Sequence, residues 1–413
     1  YQRRVRGTNM NFYENYNIDN IVKLIHGTKK GLFLGFNAIS KIGEILDDLK
    51  PSCIGFVTSP GAYKKCGVWE PLMEALSQRK IPYLHYDKIM TNPTTTVVDE
   101  GVALFKPKYD EKFLIISIGG GSPGDAAKSM SILLHPEHQK QNCRQLYKFE
   151  FTPAHRTNLV MINVTHGTGT ECDRFAVVSI LEGEEHPYKP CLASEVVYPD
   201  YSIDDVNSMF SMNADMVRFT AIDALNHVME AATTTVATPY SSTLAKEVCY
   251  LVHRYLPVAM KDLSDKRARY WLTYAAAIAG MAFDESLLHL THALEHTLSA
   301  YVPKLAHGQG LALIQPAVCE HIWPKAQSTL QPLFEPIFGL TPLTPAEAFA
   351  KIRAFHNSVG FNGTIADIGL KKEDIPMLVE ATVKCPGMKG LIAISPVPCE
   401  DADIAKIFTK GFF

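Results

Sequence analysis

The sequence predicts two domains, an N-terminal α/β domain built on a parallel sheet and a C-terminal domain built only of helices. Up to about residue 205, short runs rich in β-branched and aromatic residues alternate with amphipathic stretches, which is typical of a parallel sheet covered on both faces. Beyond that point, long Ala-, Leu- and Met-rich stretches with helical periodicity dominate. We therefore expect one domain at 10–204 and a second at 205–413, joined near 201–205.

Strands and helices alternate regularly in the first domain. We expect strands at 32–35, 54–58, 83–86, 113–118, 158–163 and 176–180. We expect helices at 38–49, 62–78 and 95–105, and a further helix that follows a Gly-rich turn and ends at residue 134. The run at 113–118 is apolar without alternation, and this pattern indicates a strand that is buried on both faces.

The second domain is predicted from helical periodicity alone. We expect helices at 214–234, 241–258, 266–283, 286–299, 310–321 and 346–358. The stretch 336–345 is rich in Pro, Leu and Thr, so we expect a connecting loop there.

The composition argues against several classes of protein. A net charge of −3 without a basic stripe argues against nucleic acid binding, and no apolar run reaches the length of a membrane span. The nine cysteines are scattered, which favours free thiols and a cytoplasmic location. Met10 resembles a natural start, so residues 1–9 are expected to be an addition, and they lack the apolar core of a secretory signal.

Two pairs of residues with helical spacing are candidate metal ligands. Asp223 and His227 are four residues apart, as are His292 and His296, and His307 follows fifteen residues after His292. One such pair alone is more often part of a solvated face. Here the flanking residues are apolar, which indicates burial, and a buried Asp or His needs a partner. A carboxylate with two or three imidazoles suits Fe(II) or Zn(II).

A glycine-rich turn follows the buried strand at 113–118. Gly119, Gly121 and Gly124 fit the G-x-G-x-x-G pattern, in which backbone N–H groups and a helix N-terminus bind phosphate. The turn follows about the fourth strand, whereas the dinucleotide fingerprint follows the first. We therefore expect a nucleotide site with a different strand connectivity, the alternative being an ordinary glycine turn. A second polar turn at 165–171 either lines the same cofactor or is an ordinary Gly/Thr loop.

Four ordered motifs resemble those of the iron-containing (group III, metal-dependent) alcohol dehydrogenases. They are GGGSPGDAAK at 119–128, THGTGTE at 165–171, DALNHVMEA at 223–231, and HALEH at 292–296 with HG at 307–308. Their order and separation match from about residue 30 to the C-terminus. The resemblance implies the architecture shared with dehydroquinate synthase, with an α/β nucleotide-binding domain, a helical metal-binding domain and the metal between them. It also implies reversible NAD(P)-dependent oxidation of alcohols or reduction of aldehydes.

The resemblance also implies roles for individual residues. The metal ligands would be Asp223, His227, His292 and His307. His296 would be a further active-site histidine, either a proton relay or a packing residue. Contacts to pyrophosphate and ribose would come from Gly120, Gly121, Ser122 and Asp125. Contacts near the nicotinamide would come from Thr165, Thr168 and Lys189.

One departure from the family pattern predicts the choice of cofactor. Ser59 stands after the second strand, where NAD-using members tend to carry an aspartate, and 57–65 contains no acidic residue. Ser59 can donate a hydrogen bond, Gly61 exposes a backbone N–H, and Lys64 or Lys65 could supply charge. We therefore expect NADP(H) to be favoured over NAD(H). Two other departures are Thr170 in place of serine and Thr297 in place of proline.

Two other functions remain open from the sequence. One is a dehydroquinate synthase-like lyase or a sugar-phosphate- or polyol-processing metalloenzyme, which would need several cationic residues at the cleft, where Arg218 is the nearest. The other is a non-catalytic metal-binding protein. The preferred interpretation is a dehydrogenase for a small-molecule alcohol or aldehyde, and the resemblance alone implies a homo-oligomer, a dimer. The remaining histidines are expected to be isolated or to face solvent: His166, His253, His289, His321 and His356.

Overall fold

The main sheet of the computed structural model, which describes residues 12–413, has seven strands in the order β1-β2-β9-β6-β5-β3-β4. The expectation about residues 1–9 lies outside the described residues. The strands are β1 (Val22–Leu24), β2 (Gly31–Gly35), β3 (Ile54–Thr58), β4 (Tyr83–Tyr86), β5 (Leu114–Gly119), β6 (Asn158–Asn163), β7 (Phe175–Val177), β8 (Cys191–Ala193) and β9 (Tyr201–Asp205). Every pair in the main sheet is parallel except the edge pair β1–β2, so the predicted parallel sheet is confirmed.

The segment 201–205, near which we expected the two domains to join, is itself a strand that the sequence did not predict. This segment is β9, and it is hydrogen-bonded between β2 and β6 in the middle of the sheet. Its two acidic residues are more typical of a loop than of a buried strand, but the fold supplies hydrogen-bond donors to both of them. Asp204 accepts a hydrogen bond from Asn163, and Asp205 accepts hydrogen bonds from three backbone N–H groups, including that of Ile39.

Helices cover both faces of the sheet. They are α1 (Ile42–Leu49), α2 (Ala62–Lys65), α3 (Trp69–Arg79), α4 (Thr95–Phe105), α5 (Gly121–Leu134) and α6 (Cys143–Tyr147). Leu114 and Ile116 of β5 pack in the apolar core on one face, and Ile115 packs in the core on the other face. This arrangement confirms the prediction that the strand is buried on both sides.

Two predicted elements of the first domain differ from the structure. The helix expected at 62–78 is divided into α2 and α3, because the intervening Gly67 has a φ of 75°, which a helix does not accommodate. The strand expected at 176–180 is the shorter β7, which pairs antiparallel with β8 in a separate two-stranded sheet.

The chain beyond β9 is helical. Its helices are α7 (Val206–Met209), α8 (Ala214–Thr233), α9 (Pro239–Lys261), α10 (Lys266–Ser286), α11 (Leu290–Tyr301), α12 (His307–Leu333), α13 (Glu335–Phe338), α14 (Pro345–Ser358), α15 (Ile375–Lys384), α16 (Met388–Ala393) and α17 (Asp401–Lys410). The predicted all-helical domain is therefore confirmed, while the boundary between residues 204 and 205 stays a prediction.

Three boundaries in the helical domain were predicted wrongly. The helix expected at 286–299 begins at Leu290, after an irregular turn. The helix expected at 310–321 is the much longer α12, which contains three prolines and is maintained by packing against α8 and α14. The loop expected at 336–345 begins with the short helix α13.

Two further observations concern the whole of the described chain. Within residues 12–413, none of the helices combines the length and apolar character needed to cross a membrane. All nine cysteines lie in this part of the chain, and each is a free thiol.

Candidate active site

A cavity of about 490 Å³ lies between the α/β domain and the helical domain. One end is bordered by Ser59, at the end of β3, and by the glycine turn that follows β5. The other end is bordered by His227 and His292 of the helical domain. The carboxyl ends of parallel strands meet at one edge of a sheet, and this is where open α/β sheets bind ligands.

Four side chains from α8, α11 and α12 converge at the helical end of the cavity. The Oδ1 atom of Asp223 lies 3.3 Å from Nε2 of His227. The same oxygen lies 3.7 Å from Nε2 of His292 and 3.9 Å from Nε2 of His307. The structure therefore brings together the four residues that the family resemblance implied as metal ligands.

The chemistry of this cluster fits a divalent metal ion. Asp223 and His292 are 1% and 3% exposed, yet Oδ1 of Asp223 and Nε2 of His292 have no hydrogen-bond partner. Buried polar atoms without a partner are costly, and ligation would satisfy them. The ligand atoms of Asp223, His292 and His307 lie within 4.8 Å of one another, so a single ion could contact all three.

Two glutamates that sequence analysis missed hold the imidazoles in place. Nδ1 of His292 donates to Glu230, and Nδ1 of His307 donates to Glu295. Each imidazole therefore presents Nε2 to the position between the ligands, as in carboxylate–histidine–metal arrangements. The sequence carried a signal for both glutamates, because each lies three residues after a candidate ligand, on the same face of the helix.

The burial of the cluster and the charges within it determine the protonation states of Glu230 and Glu295. Burial alone would raise the pKa of Glu230, but the neighbouring charges of His292 and His289 hold it at about 2. Burial likewise opposes ionisation of Glu295, whose pKa is nevertheless held well below its usual range by His307 and Lys189. Both carboxylates are therefore ionised and able to accept hydrogen bonds from imidazole N–H groups.

His296 lies one turn beyond His292 on α11 and borders the cavity. Its side chain is 5% exposed, and its Nδ1 atom has no hydrogen-bond partner. Burial, reinforced by the charge of Lys189, lowers the pKa of His296 well below its usual range. The ring is therefore neutral at neutral pH.

The glycine turn and the threonine turn pack directly against each other at the other end of the cavity. A Cβ atom on Gly120 would lie 2.6 Å from Oγ1 of Thr165, and a Cβ atom on Gly121 would lie 3.0 Å from Cγ2 of Thr168. Helix α5 begins at Gly121 without a side-chain cap, so its first N–H groups are available to an anion. The hydroxyl of Thr168 is buried and has no partner, which suits a ligand in the cavity.

The other predicted cofactor contacts occupy different environments. Ser59, Ser122, Asp125 and Lys189 border the cavity, but Gly61 does not. The carboxylate of Asp125 accepts a hydrogen bond of 2.8 Å from Thr170, and burial raises its pKa to about 6.

The side chain of Lys189 points toward Glu295, the glutamate that binds His307. Its Nζ atom donates to Oγ of Ser299 at 2.8 Å and lies 3.6 Å from a carboxylate oxygen of Glu295. The residue is therefore close to His296 as well as to the cavity, and it joins the α/β domain to α11.

Several histidines that we expected to be isolated or exposed are buried instead. His166, His289 and His356 are at most 1% exposed. Nε2 of His289 lies 3.0 Å from the hydroxyl of Thr233. His166 and His289 lie in turns rather than on helices, so helical phasing did not apply to them, and His356 lies on the buried face of α14.

The sequence matches two family models that together cover most of the chain. Residues 30–206 match "Iron-containing alcohol dehydrogenase", and residues 218–412 match "Fe-containing alcohol dehydrogenase family, C-terminal". The chain is 44% identical to the long-chain primary alcohol dehydrogenase AdhA of Thermoanaerobacter ethanolicus over 93% of this chain and 96% of that protein.

Solved structures agree with the family match. The archaeal alcohol dehydrogenase ADH/D1 from a Red Sea brine pool has a TM-score of 0.86 at 25% identity, covering 96% of this chain and 99% of its own. A 1,3-propanediol oxidoreductase has a TM-score of 0.82 at 28% identity, covering 96% of this chain and 100% of its own. These matches support alcohol oxidation over the lyase and non-catalytic alternatives. The chain belongs to the iron-containing alcohol dehydrogenase family and is a metal-dependent, nicotinamide-linked oxidoreductase of alcohols and aldehydes.

Proposed function

We propose that the protein interconverts primary alcohols and aldehydes with one divalent metal, Fe(II) or Zn(II), held by Asp223, His227, His292 and His307. The observation that carries the proposal is the convergence of three imidazole Nε2 atoms within 3.9 Å of one carboxylate oxygen. The bound metal supplies Lewis acidity toward the substrate oxygen, and the nicotinamide carries the hydride. A primary alcohol as substrate is supported by the name of the 44% identical relative.

The chain's own residues orient the reactants and exclude water. Glu230 and Glu295 fix the rings of two ligand histidines through their Nδ1 atoms. The ring of Phe283 lies 4.4 Å from the ring of His227 and shields that side of the cluster. His296 borders the cavity as a neutral imidazole and would exchange a proton with the substrate oxygen.

Removal of one ligand tests the proposed metal site. We expect His292→Ala to lower bound metal well below one ion per chain and to abolish aldehyde reduction, because three ligands remain around a charged site. Metal content and NADPH oxidation are measured together. The matched control is His253→Ala, which removes a half-buried imidazole that stacks on Phe355 away from the cavity. Full metal content together with full activity in His292→Ala would show that the ligand set is wrong.

We further propose that the glycine turn binds the cofactor pyrophosphate and that NADPH is preferred over NADH. The preference is supported by Ser59, which borders the cavity, and by the lack of acidic residues at 57–65. Lys64 is exposed on α2, where it is available to a 2′-phosphate. A single charge-assisted contact is worth about 1.5–3 kcal/mol, or roughly tenfold or more in selectivity.

A change of charge tests this preference. We expect Ser59→Asp to repel the 2′-phosphate and to shift the ratio of kcat/KM for NADPH over NADH toward NADH by at least about tenfold. Ser59→Thr keeps the hydroxyl and serves as the control. A higher kcat/KM with NADH in the unmodified enzyme would contradict the proposed role of this turn.

We also propose that the protein acts as a homodimer in the cytoplasm and that its two domains meet at residues 204 and 205. The dimer rests on the family resemblance. The location is supported by the nine free cysteines of residues 12–413. A fusion to a fluorescent protein that is excluded from the cytoplasm would contradict the proposed location.

A further inference from the structure

The turn between α10 and α11 has an unusual backbone. Leu287 has a φ of 65° and a ψ of 164°. This combination is close to exclusive to glycine, because a Cβ atom clashes with the neighbouring peptide groups. A leucine at this position therefore persists only where the surrounding structure holds the backbone in place.

Glu230 of α8 holds this turn in place. One carboxylate oxygen of Glu230 accepts hydrogen bonds from the backbone N–H of Thr291 at 2.6 Å and of His289 at 3.3 Å. Its other oxygen accepts the Nδ1–H of His292. The carboxylate of Glu230 thus binds both the backbone of the turn and the side chain of His292. It therefore fixes the position of Leu287 relative to the proposed metal site.

The side chains of the turn form part of an apolar wall beside the metal site. We define the apolar wall as Phe175, Phe283, Leu287 and Leu288. All four residues border the cavity. The ring of Phe283 lies 4.4 Å from the ring of His227 and 5.6 Å from the ring of Phe175. Leu287 and Leu288 are only partly buried, so they retain surface that a ligand could cover.

We propose that Leu287 is a specificity-determining residue that contacts the alkyl chain of the substrate and favours straight-chain aliphatic aldehydes and primary alcohols of medium length. The inference rests on the proposed function and names the substrate class of the same site. Covering one methylene with an apolar wall strengthens binding about fourfold, which corresponds to about 0.8 kcal/mol. Leu287 adds a branched side chain to the apolar wall of the cavity that also contains the proposed metal ligands, and the hydrogen bonds of Glu230 hold the backbone of this turn in place.

Two substitutions at Leu287 distinguish the effect of its side chain from the effect of its strained backbone. Leu287→Ala removes the side chain beyond Cβ and keeps the constraint, whereas Leu287→Gly removes both. We expect the ratio of kcat/KM for hexanal over acetaldehyde, measured with NADPH, to fall about tenfold in both variants. We also expect Leu287→Gly to melt at a higher temperature than Leu287→Ala, because glycine adopts this backbone freely. Leu287→Met keeps the apolar volume and should keep the ratio.

A second positive-φ position supplies the matched control. Lys80 has a φ of 54° and lies exposed at the end of α3, outside the cavity. Lys80→Gly should leave the aldehyde ratio unchanged. A ratio within twofold of the unmodified value in both Leu287→Ala and Leu287→Gly overturns the inference. An equal loss for both aldehydes, accompanied by loss of bound metal, also overturns it, because the residue would then only support the metal site.

The proposed function fails in a distinguishable way. If the metal-loaded, unmodified protein reduces neither aldehyde, both the proposed function and this inference are wrong. If it reduces both aldehydes and the Leu287 variants keep the ratio, only this inference is wrong.

Discussion

At the scale of single residues, the metal site depends on side chains that do not touch the metal position. Glu230 and Glu295 each accept an imidazole Nδ1–H and so direct Nε2 toward Asp223. Both glutamates are completely buried, and both have a lowered pKa, so they remain ionised at neutral pH. The affinity of the site therefore depends on these carboxylates as well as on the four proposed ligands.

We expect Glu295→Gln to weaken metal binding by about tenfold or more, because a neutral amide is a poorer acceptor for the Nδ1–H of His307. Competition with a chelator measures the affinity, and activity should recover partly at saturating metal. Glu320→Gln is the control, since Glu320 forms an ion pair with Lys410 away from the cavity. An unchanged metal affinity in Glu295→Gln would argue against an orienting role.

The sequence predicted the four candidate ligands but not their supporting residues. Asp223 and His227 stand out because a carboxylate and an imidazole at helical spacing within an apolar stretch are buried and must share a partner. Glu295 has the same kind of spacing from His292, but glutamate on a helix is usually a surface residue, so spacing alone carries little information. The conformation of Leu287 had no signal at all, because leucine is not a turn-forming residue.

At the scale of secondary structure elements, the metal site requires that α8 and α12 approach closely. A Cβ atom on Gly308 would lie 2.0 Å from the backbone oxygen of Phe219. Gly308 follows His307 in the first turn of α12, and Phe219 lies one turn before Asp223 on α8. The glycine thus sets the distance between two of the proposed ligands.

We expect Gly308→Ala to push the first turn of α12 away from α8, to destabilise the fold by about 1–3 kcal/mol and to reduce bound metal. Thermal unfolding and metal analysis are measured on the same sample. Gly390→Ala is the matched control, because no atom lies within 4 Å of its Cβ position. A variant at position 308 with normal stability and a full complement of metal would show that the helices tolerate the extra methyl group.

The elements that were predicted correctly are those whose secondary structure follows from the pattern of their own residues. β3, β4 and β6 have the predicted bounds, and β5 is displaced by one residue. β9 was missed because most of the donors to Asp204 and Asp205 come from residues distant in sequence, such as Asn163 and Ile39. The length of α12 was missed because its three prolines would normally break a helix. Packing against other helices compensates for the backbone hydrogen bonds that they remove, and the sequence of α12 alone does not reveal that packing.

At the scale of the whole molecule, the reacting groups come from two halves of the chain that meet at the cavity. The candidate metal ligands all belong to the helical domain, and the glycine turn belongs to the α/β domain. Asn92 connects the halves, because its side-chain amide donates to the backbone oxygens of Pro303 and Leu305. The fold class followed from the pattern of elements, whereas such long-range contacts leave no pattern in the sequence.

We expect the purified protein to be larger than a single chain of 45.8 kDa in solution. The reason is the family resemblance, which implies a homodimer. Light scattering at micromolar concentration gives the mass independently of shape, and a species of about twice the chain mass is the expected result. A single species at the chain mass would contradict the proposal.

The position of β9 has a consequence for how the protein folds during synthesis. Among the strands of residues 12–413, β2 is hydrogen-bonded only to β1 and β9, so it joins the remaining strands of the sheet through β9. On the ribosome, residues 22–35 emerge long before residues 201–205. In that interval β9 has not been made, so β2 and β6 both lack the strand that pairs with them in the native sheet. Open edges pair readily with other chains, so the period between the synthesis of β6 and that of β9 is when the newborn chain most needs a chaperone.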